Sequence, residues 1–185
     1  MQLSPKIWND LNLIKILKGN GVVVMPTDTL YGIVGRAEDK EVVEKIYKLR
    51  KRNLKKPCMI LISRWDEVKK FGIDISQIKI PEYKEPTSYI LDCPEEKFGY
   101  LHRGTQTLAF RVPNIPELKD LLKEVGPLIA PSANTEALPP AENIEEAKKY
   151  FGDNIDLYVD GGIIKGKASK VIKLHKDGSV SVIRE

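Results

Sequence analysis

Apolar and polar positions follow two different periods along this chain, and the switches between them mark out its elements. Val22-Val23-Val24-Met25 is an unbroken apolar run rich in β-branched residues. It is too short for a helix and predicts a strand covered on both faces, which Pro26 ends by removing a backbone donor. Upstream, Ile7, Trp8, Leu11, Ile14 and Leu17 recur at helical spacing, with Ser4-Pro5 as the expected opening and Gly19 as the stop. Downstream, Asp39 is placed to cap a helix to about Leu49, with Val42, Val43, Ile46 and Leu49 facing inward. Met59-Ile60-Leu61-Ile62 reads as a buried strand, and 64–71 as a short helix around Trp65, Val68 and Phe71. Strands are predicted at 88–91, 108–112 and 128–130, and a helix between the last two, from Pro116 to the Gly126 stop. Another helix is expected over 142–151, then a hairpin of 170–174 and 180–184 turning at Asp177-Gly178. Helices and strands alternate irregularly with hairpins among them. The expected fold is therefore one α/β domain over 1–185, a twisted sheet of mixed parallel and antiparallel strands flanked by helices.

Composition narrows the setting. With 185 residues, 42% hydrophobic and 30% charged, the chain can bury a proper core. No apolar run approaches a membrane span and the first 18 residues are mixed in polarity, so the expectation is a cytoplasmic protein without membrane contact. Cys58 and Cys93 stand far apart with no Cys-x-x-Cys spacing, which argues against a disulfide framework and a zinc site. Thirty basic against 26 acidic residues give a net charge of +4, compatible with anionic substrates but too small to imply nucleic acid.

Four constellations carry candidate chemistry. Thr27-Asp28-Thr29 follows the first strand, where α/β proteins hold ligands; the same residues also suit a turn that bonds its own backbone. Six of the nine residues from Lys48 to Lys56 are basic. They fit either a solvated helix end or a phosphate grip in which arginine forks bind two oxygens at once. Ser132-Ala133-Asn134 again delivers a hydroxyl and an amide after an apolar strand, and Arg111 interrupts another. Alternation would turn Arg111 away from its neighbours' buried face; loop capping and a surface strand position are the alternative readings. Gly161-Gly162-Ile163-Ile164-Lys165-Gly166-Lys167 imitates a P-loop, but Ala168 replaces the metal-binding hydroxyl and a strand follows. His102 and His175 lie in no recognisable Ser or Cys motif, so nucleophilic hydrolysis has no support.

Taken together, these pieces resemble the YrdC/Sua5 family of threonylcarbamoyl-adenylate synthases, across nearly the whole chain from about Gly19 to Arg184. Pro26-Thr27-Asp28-Thr29-Leu30-Tyr31-Gly32 looks like the family's opening motif, and Arg50-Lys51-Arg52 with Pro57 its Lys-x-Arg element and proline. Ser132-Ala133-Asn134, Asp160-Gly161-Gly162 and Ser169 with Val171 resemble its later elements. The resemblance implies that L-threonine, bicarbonate or CO2, and ATP with Mg2+ give threonylcarbamoyl-adenylate and pyrophosphate. The product would serve a downstream threonylcarbamoyl-transferase complex that modifies adenosine in tRNA. By the same analogy Arg50, Arg52 and Lys56 would hold the triphosphate, with Arg50 and Arg52 the catalytic cations. Thr29, Arg111 and Ser169 would hold threonine, Tyr31 would shape its pocket, and Thr107, Ser132, Asn134 and Arg184 would line the nucleotide side.

The chain departs from the family pattern in places. Lys84-Glu85-Pro86-Thr87-Ser88 stands where Pro-Gly-Pro-x-Thr is usual, Arg50 replaces a lysine, and Thr135-Glu136 replaces a Ser-Gly after Asn134. Two rival readings are a module that grips tRNA or double-stranded RNA through the Lys48 to Lys56 run, and a carbamoyl-adenylate-forming enzyme.

Overall fold

The computed structural model describes residues 7–175 and 177–185. In chain order its elements are α1 (Leu11–Lys18), β1 (Val23–Pro26), β2 (Tyr31–Arg36), α2 (Lys40–Leu49), β3 (Met59–Leu61), β4 (Thr87–Asp92), α3 (Gly99–His102), β5 (Thr107–Arg111), α4 (Pro116–Val125), β6 (Leu128–Ile129), α5 (Ile144–Phe151), β7 (Leu157–Tyr158), β8 (Lys170–Leu174) and β9 (Val180–Arg184). Short 3-10 helices occupy Trp65–Phe71, Glu96–Phe98 and Gly152–Asn154. All the strands join one sheet in the order β7-β1-β2-β6-β3-β5-β4-β8-β9. The β1/β7, β3/β5 and β4/β8 pairs are parallel and the other neighbours antiparallel, which is the mixed α/β sheet expected from the sequence.

The period of two along the central strands divides the core into two layers. Val22 and Val24 pack with Ile33, Val43, Ile46 and Phe110 on one face. Val23 and Met25 pack with Leu13, Leu17, Leu118 and Leu122 on the other. The apolar run at 22–25 is thus buried on both sides, each side chain worth about 1.5–3 kcal/mol of transfer free energy. The layer beneath α1 and α4 ends at β3. On β5, β4 and β8 the same face carries Thr107, Ala109, Arg111, Ser88 and Val171, and there a cavity opens.

Several elements differ from expectation. The expected opening at Ser4-Pro5 lies outside the described residues. The described α1 begins at Leu11, capped by Asp10, whose carboxylate accepts from Leu13 N at 2.9 Å. Leu11 is 82% exposed, and Trp8 instead anchors the chain by donating its indole N–H to the Pro26 carbonyl at 3.1 Å. Strand β2 was not expected, because Gly32 and Gly35 break its apolar pattern. Gly35 is needed where α2 crosses: a Cβ there would stand 2.3 Å from Val42 Cγ1. The short α3 and β7 were likewise not expected. The helix at 64–71 is a 3-10 helix from Trp65, and the strand predicted at 88–91 extends one residue further at each end, Thr87–Asp92.

Candidate active site

The cavity encloses about 640 Å³. Its floor exists because small side chains face it: Ala109, Ser88 and Ala130 fill little space, while Leu108 and Phe110 on the alternate positions of β5 enter the core. Around this floor the structure brings together every residue to which the family resemblance assigns a site role except Lys56.

One group forms around Arg111. The β1–β2 turn closes through Thr27, whose hydroxyl donates to the Leu30 carbonyl at 2.7 Å and accepts from the Thr29 and Leu30 N–H groups at 3.3 Å. The backbone-bonding reading therefore holds for Thr27. Asp28 and Thr29 turn elsewhere: Arg111 Nε and Nη2 donate to Asp28 Oδ1 at 3.1 and 2.7 Å, and Nη2 also to Thr29 Oγ1 at 3.2 Å. The Arg111 and Asp28 side chains are only 2% and 4% exposed, so the surface-position reading of Arg111 is corrected. Alternation did take Arg111 off the core face, but the turn closes over it. Its Nη1 points to the Met59 sulfur at 2.9 Å, and Ser88 Oγ to the same sulfur at 2.8 Å. Ser88 and Ser169 hydroxyls share a 2.8 Å hydrogen bond, and Arg184 Nε and Nη2 donate to the Ser169 carbonyl at 3.1 and 2.7 Å. Arg184 is thus packed with Ser169 rather than with Ser132 and Asn134; burial and the nearby Arg111 charge lower its pKa.

The segment carrying Ser169 is fixed from two directions. The Tyr31 hydroxyl donates to the Gly162 carbonyl at 2.9 Å and accepts from Gly161 N at 2.8 Å, and burial raises its pKa. Five residues later Gly166 passes so near the β1–β2 turn that a Cβ would lie 1.8 Å from the Thr29 carbonyl oxygen. The P-loop imitation at 161–167 is accordingly an irregular strap, with no helix after it.

A second group gathers around Arg50 at the C-cap of α2. Its Nε donates to the Asn134 carbonyl at 3.0 Å and its Nη2 to Asn134 Oδ1 at 2.9 Å, while Nη1 is buried without a partner. Asn134 is occupied in turn: its amide donates to the Thr135 and Leu138 carbonyls, and its Oδ1 also accepts from Ser132 Oγ at 2.7 Å. Loop capping is what Asn134 does, and it aims Arg50 by doing so. Arg52 uses Nε and Nη2 on the Lys56 and Pro57 carbonyls at 3.1 and 2.9 Å. Burial, then the Arg52 charge, push the Arg50 pKa down to about 10, which leaves it cationic at neutral pH. Thr107 stands on the floor with its hydroxyl 3.1 Å from that of Thr105. Lys56 faces away from the lining and pairs with Glu136 at 2.9 Å.

The electrostatic result is lopsided. Four arginines line the cavity and, among the described residues, no carboxylate does. Asp28 compensates Arg111 from behind; Arg50, Arg52 and Arg184 have no carboxylate partner among the described residues. Such a site is suited to a polyanion, since planar guanidinium forks match phosphoryl and carboxylate oxygens. Among the described residues no histidine or cysteine lines it; His102 is buried elsewhere, accepting from Gly104 N at 3.1 Å. Sequence reasoning named Asp28 in the motif but gave it no role. The signal for it was Arg111 itself, since a cation in an apolar strand needs a counter-ion if buried. Met59 and Ser88 carried no such signal.

Comparison with known proteins places the chain in a family and supports its fold. The sequence model of the Sua5/YciO/YrdC family, described as "Telomere recombination", matches residues 15–185. Threonylcarbamoyl-AMP synthase from Coxiella burnetii is 27% identical over 153 residues, covering 80% of this chain and 82% of that protein. The crystal structure of E. coli YciO superposes with a TM-score of 0.76 at 24% identity, over 98% of this chain and 90% of that one. P. abyssi Sua5 complexed with L-threonine gives 0.73 at 22% identity, over 94% of this chain and 52% of that one. At these identities the two structures speak for the fold, and the family match spans nearly all of the sequence. The chain belongs to the Sua5/YciO/YrdC family.

Proposed function

We propose that this protein is a threonylcarbamoyl-AMP synthase, joining L-threonine, bicarbonate or CO2, and ATP into threonylcarbamoyl-adenylate with release of pyrophosphate. The observation that carries the reading is one cavity with two arginine clusters and no acidic lining among the described residues. Arg50 and Arg52, braced by Asn134, Ser132 and Pro57, would receive the triphosphate, with Lys56 joining from the rim. Leu138 and Pro140 offer apolar surface to the base, and Thr107 lies on the floor between. Arg111 and Arg184, with Thr29 and Ser169, would receive the threonine carboxylate and its carbamate, and Tyr31 keeps their supporting strap in place.

This arrangement suits a reaction without a protein nucleophile. The threonine amine adds to CO2 and loses a proton, giving a carbamate. A carbamate oxygen then bonds to the α-phosphorus as the bond from that phosphorus to the bridging oxygen breaks, and pyrophosphate leaves with the electron pair. What the chain supplies is alignment of two anions that repel each other in water, and fixed positive charge where the leaving group develops negative charge. Because the guanidinium groups are already held by backbone carbonyls and Asn134, little reorganisation is needed. ATP would enter as its Mg2+ complex. With no lining carboxylate among the described residues, the ion would keep phosphate and water ligands.

The basic run is divided between two jobs. Arg50 is buried and turned to the cavity, while Lys48, Lys51 and Lys55 remain exposed and could meet tRNA phosphates or the downstream transferase complex. No described helix is long and apolar enough to cross a membrane, and a cytoplasmic location is part of this proposal. The test is pyrophosphate release by purified protein with Mg2+ and ATP. Release that requires both L-threonine and bicarbonate is the expected result. Release with carbamoyl phosphate in their place would instead favour carbamoyl-adenylate chemistry, and salt-sensitive RNA binding with no turnover would favour an RNA module.

A further inference from the structure

The Glu136 carboxylate joins two loops that flank the nucleotide half of the cavity. It accepts from the Asn53 backbone N–H and from Lys56 Nζ, while its own backbone N–H donates to the Arg50 carbonyl at 2.8 Å. The loop at 53–57 carries Pro57 and takes the Arg52 fork; the loop after Asn134 carries Leu138 and Pro140. The Asn53 N–H and the Lys56 ammonium hold the Glu136 carboxyl below its ordinary range, and its charge is also felt by Arg50. The Glu136 side chain is 22% exposed and that of Lys56 60% exposed, so the pair sits at the rim.

Among the described residues this is the carboxylate through which the rim cation is held off the cavity. We infer that Glu136 is a positioning residue that works by exchange: it holds Lys56 outside the cavity until a polyphosphate arrives, then releases it to the anion while keeping the Asn53 N–H. The inference rests on the triphosphate reading of the Arg50 and Arg52 cluster. Polyphosphate entering there attracts Lys56 and repels Glu136, and the exposed pair being exchanged is weak. An exposed ion pair is worth about 0.2–1 kcal/mol, so giving it up costs the incoming anion about 1.4- to 5-fold in affinity.

The exchange is read by calorimetric binding of inorganic tripolyphosphate, and separately of L-threonine, to the whole chain. Glu136→Gln keeps an acceptor for Asn53 and removes the charge. It should tighten tripolyphosphate by about 1.4- to 5-fold, leave L-threonine unchanged, and lose most of that gain when combined with Lys56→Gln. Lys56→Gln alone should weaken tripolyphosphate. Unchanged or weaker tripolyphosphate binding in Glu136→Gln, or the same gain without Lys56, would overturn the exchange and leave Glu136 a structural tie. If the wild type binds tripolyphosphate as described but shows no threonine-dependent pyrophosphate release, the synthase reading fails while the exchange stands.

Discussion

Replacing Asp28 with asparagine would remove the charge that compensates Arg111 and almost nothing else. At 2.7 Å the two unit charges attract by about 6 kcal/mol with an effective dielectric constant near 20, before desolvation is counted. Most of that offsets the cost of burying the ions, but truncating one partner leaves the other uncompensated, and such losses run to about 3–5 kcal/mol. The substituted amide would still offer a carbonyl oxygen, and Thr29 Oγ1 remains an acceptor, so the lower end, about 3 kcal/mol, is expected. Urea denaturation is the assay, with the midpoint falling and the slope unchanged. Combining Asp28→Asn with Arg111→Met removes both charges for a flexible apolar side chain, and should bring stability back to within about 1 kcal/mol of wild type. A loss below about 1 kcal/mol for Asp28→Asn, or a double variant no more stable than the single one, would refute the claim that this pair is buried and interdependent.

Arg52→Ala should cut pyrophosphate release by about 10²- to 10³-fold, the scale of losing one charge-stabilising donor, with a stability change near 1 kcal/mol. Wild-type-like turnover would strip Arg52 of its phosphate role. Gly166→Ala forces the strap off the β1–β2 turn, at a cost of about 1–3 kcal/mol, and should weaken L-threonine binding because Ser169 moves with it; an unchanged threonine affinity by calorimetry would contradict that coupling. Burial raises the pKa of Tyr31 and Tyr100, and that of Tyr89 to about 12. The unfolded chain releases these protons near pH 10 while the folded one retains them. Their contribution is therefore complete below about pH 10 and is lost as pH rises from there through the folded values. A urea midpoint that stays level from pH 9 to 11.5 would disprove this linkage.

Much of the architecture was legible because local rules and tertiary packing agree. The run Val22 to Met25, the Asp39 cap with Val42, Val43 and Ile46 behind it, and the Pro116 to Val125 helix each carry a pattern that only one kind of element satisfies. Strand β2 was hidden because its two glycines answer to packing against other elements, Gly35 to Val42 of α2 and Gly32 to the distant Ser132 segment, and not to strand propensity. The same split runs through the site. Thr29, Arg52 and Ser132 could be named from motif order, since their spacing is local. Which arginine sits with which partner could not, because Arg184 reaches Ser169 only through the β8–β9 hairpin, and Asp28 reaches Arg111 only because the β1–β2 turn closes over β5.

By itself, then, the sequence determined most of the elements, the mixed sheet and the set of side chains that line the arginine-rich cavity, because periodicity, caps and turn residues act over a few positions. The tertiary structure decided what those side chains do. It buried Arg111 and gave it Asp28, tied Asn134 to Arg50, turned Lys56 outward to Glu136, and left one half of a sheet face to small residues. Burial and pairing across the sheet, not residue type, set which cations remain free to meet a substrate.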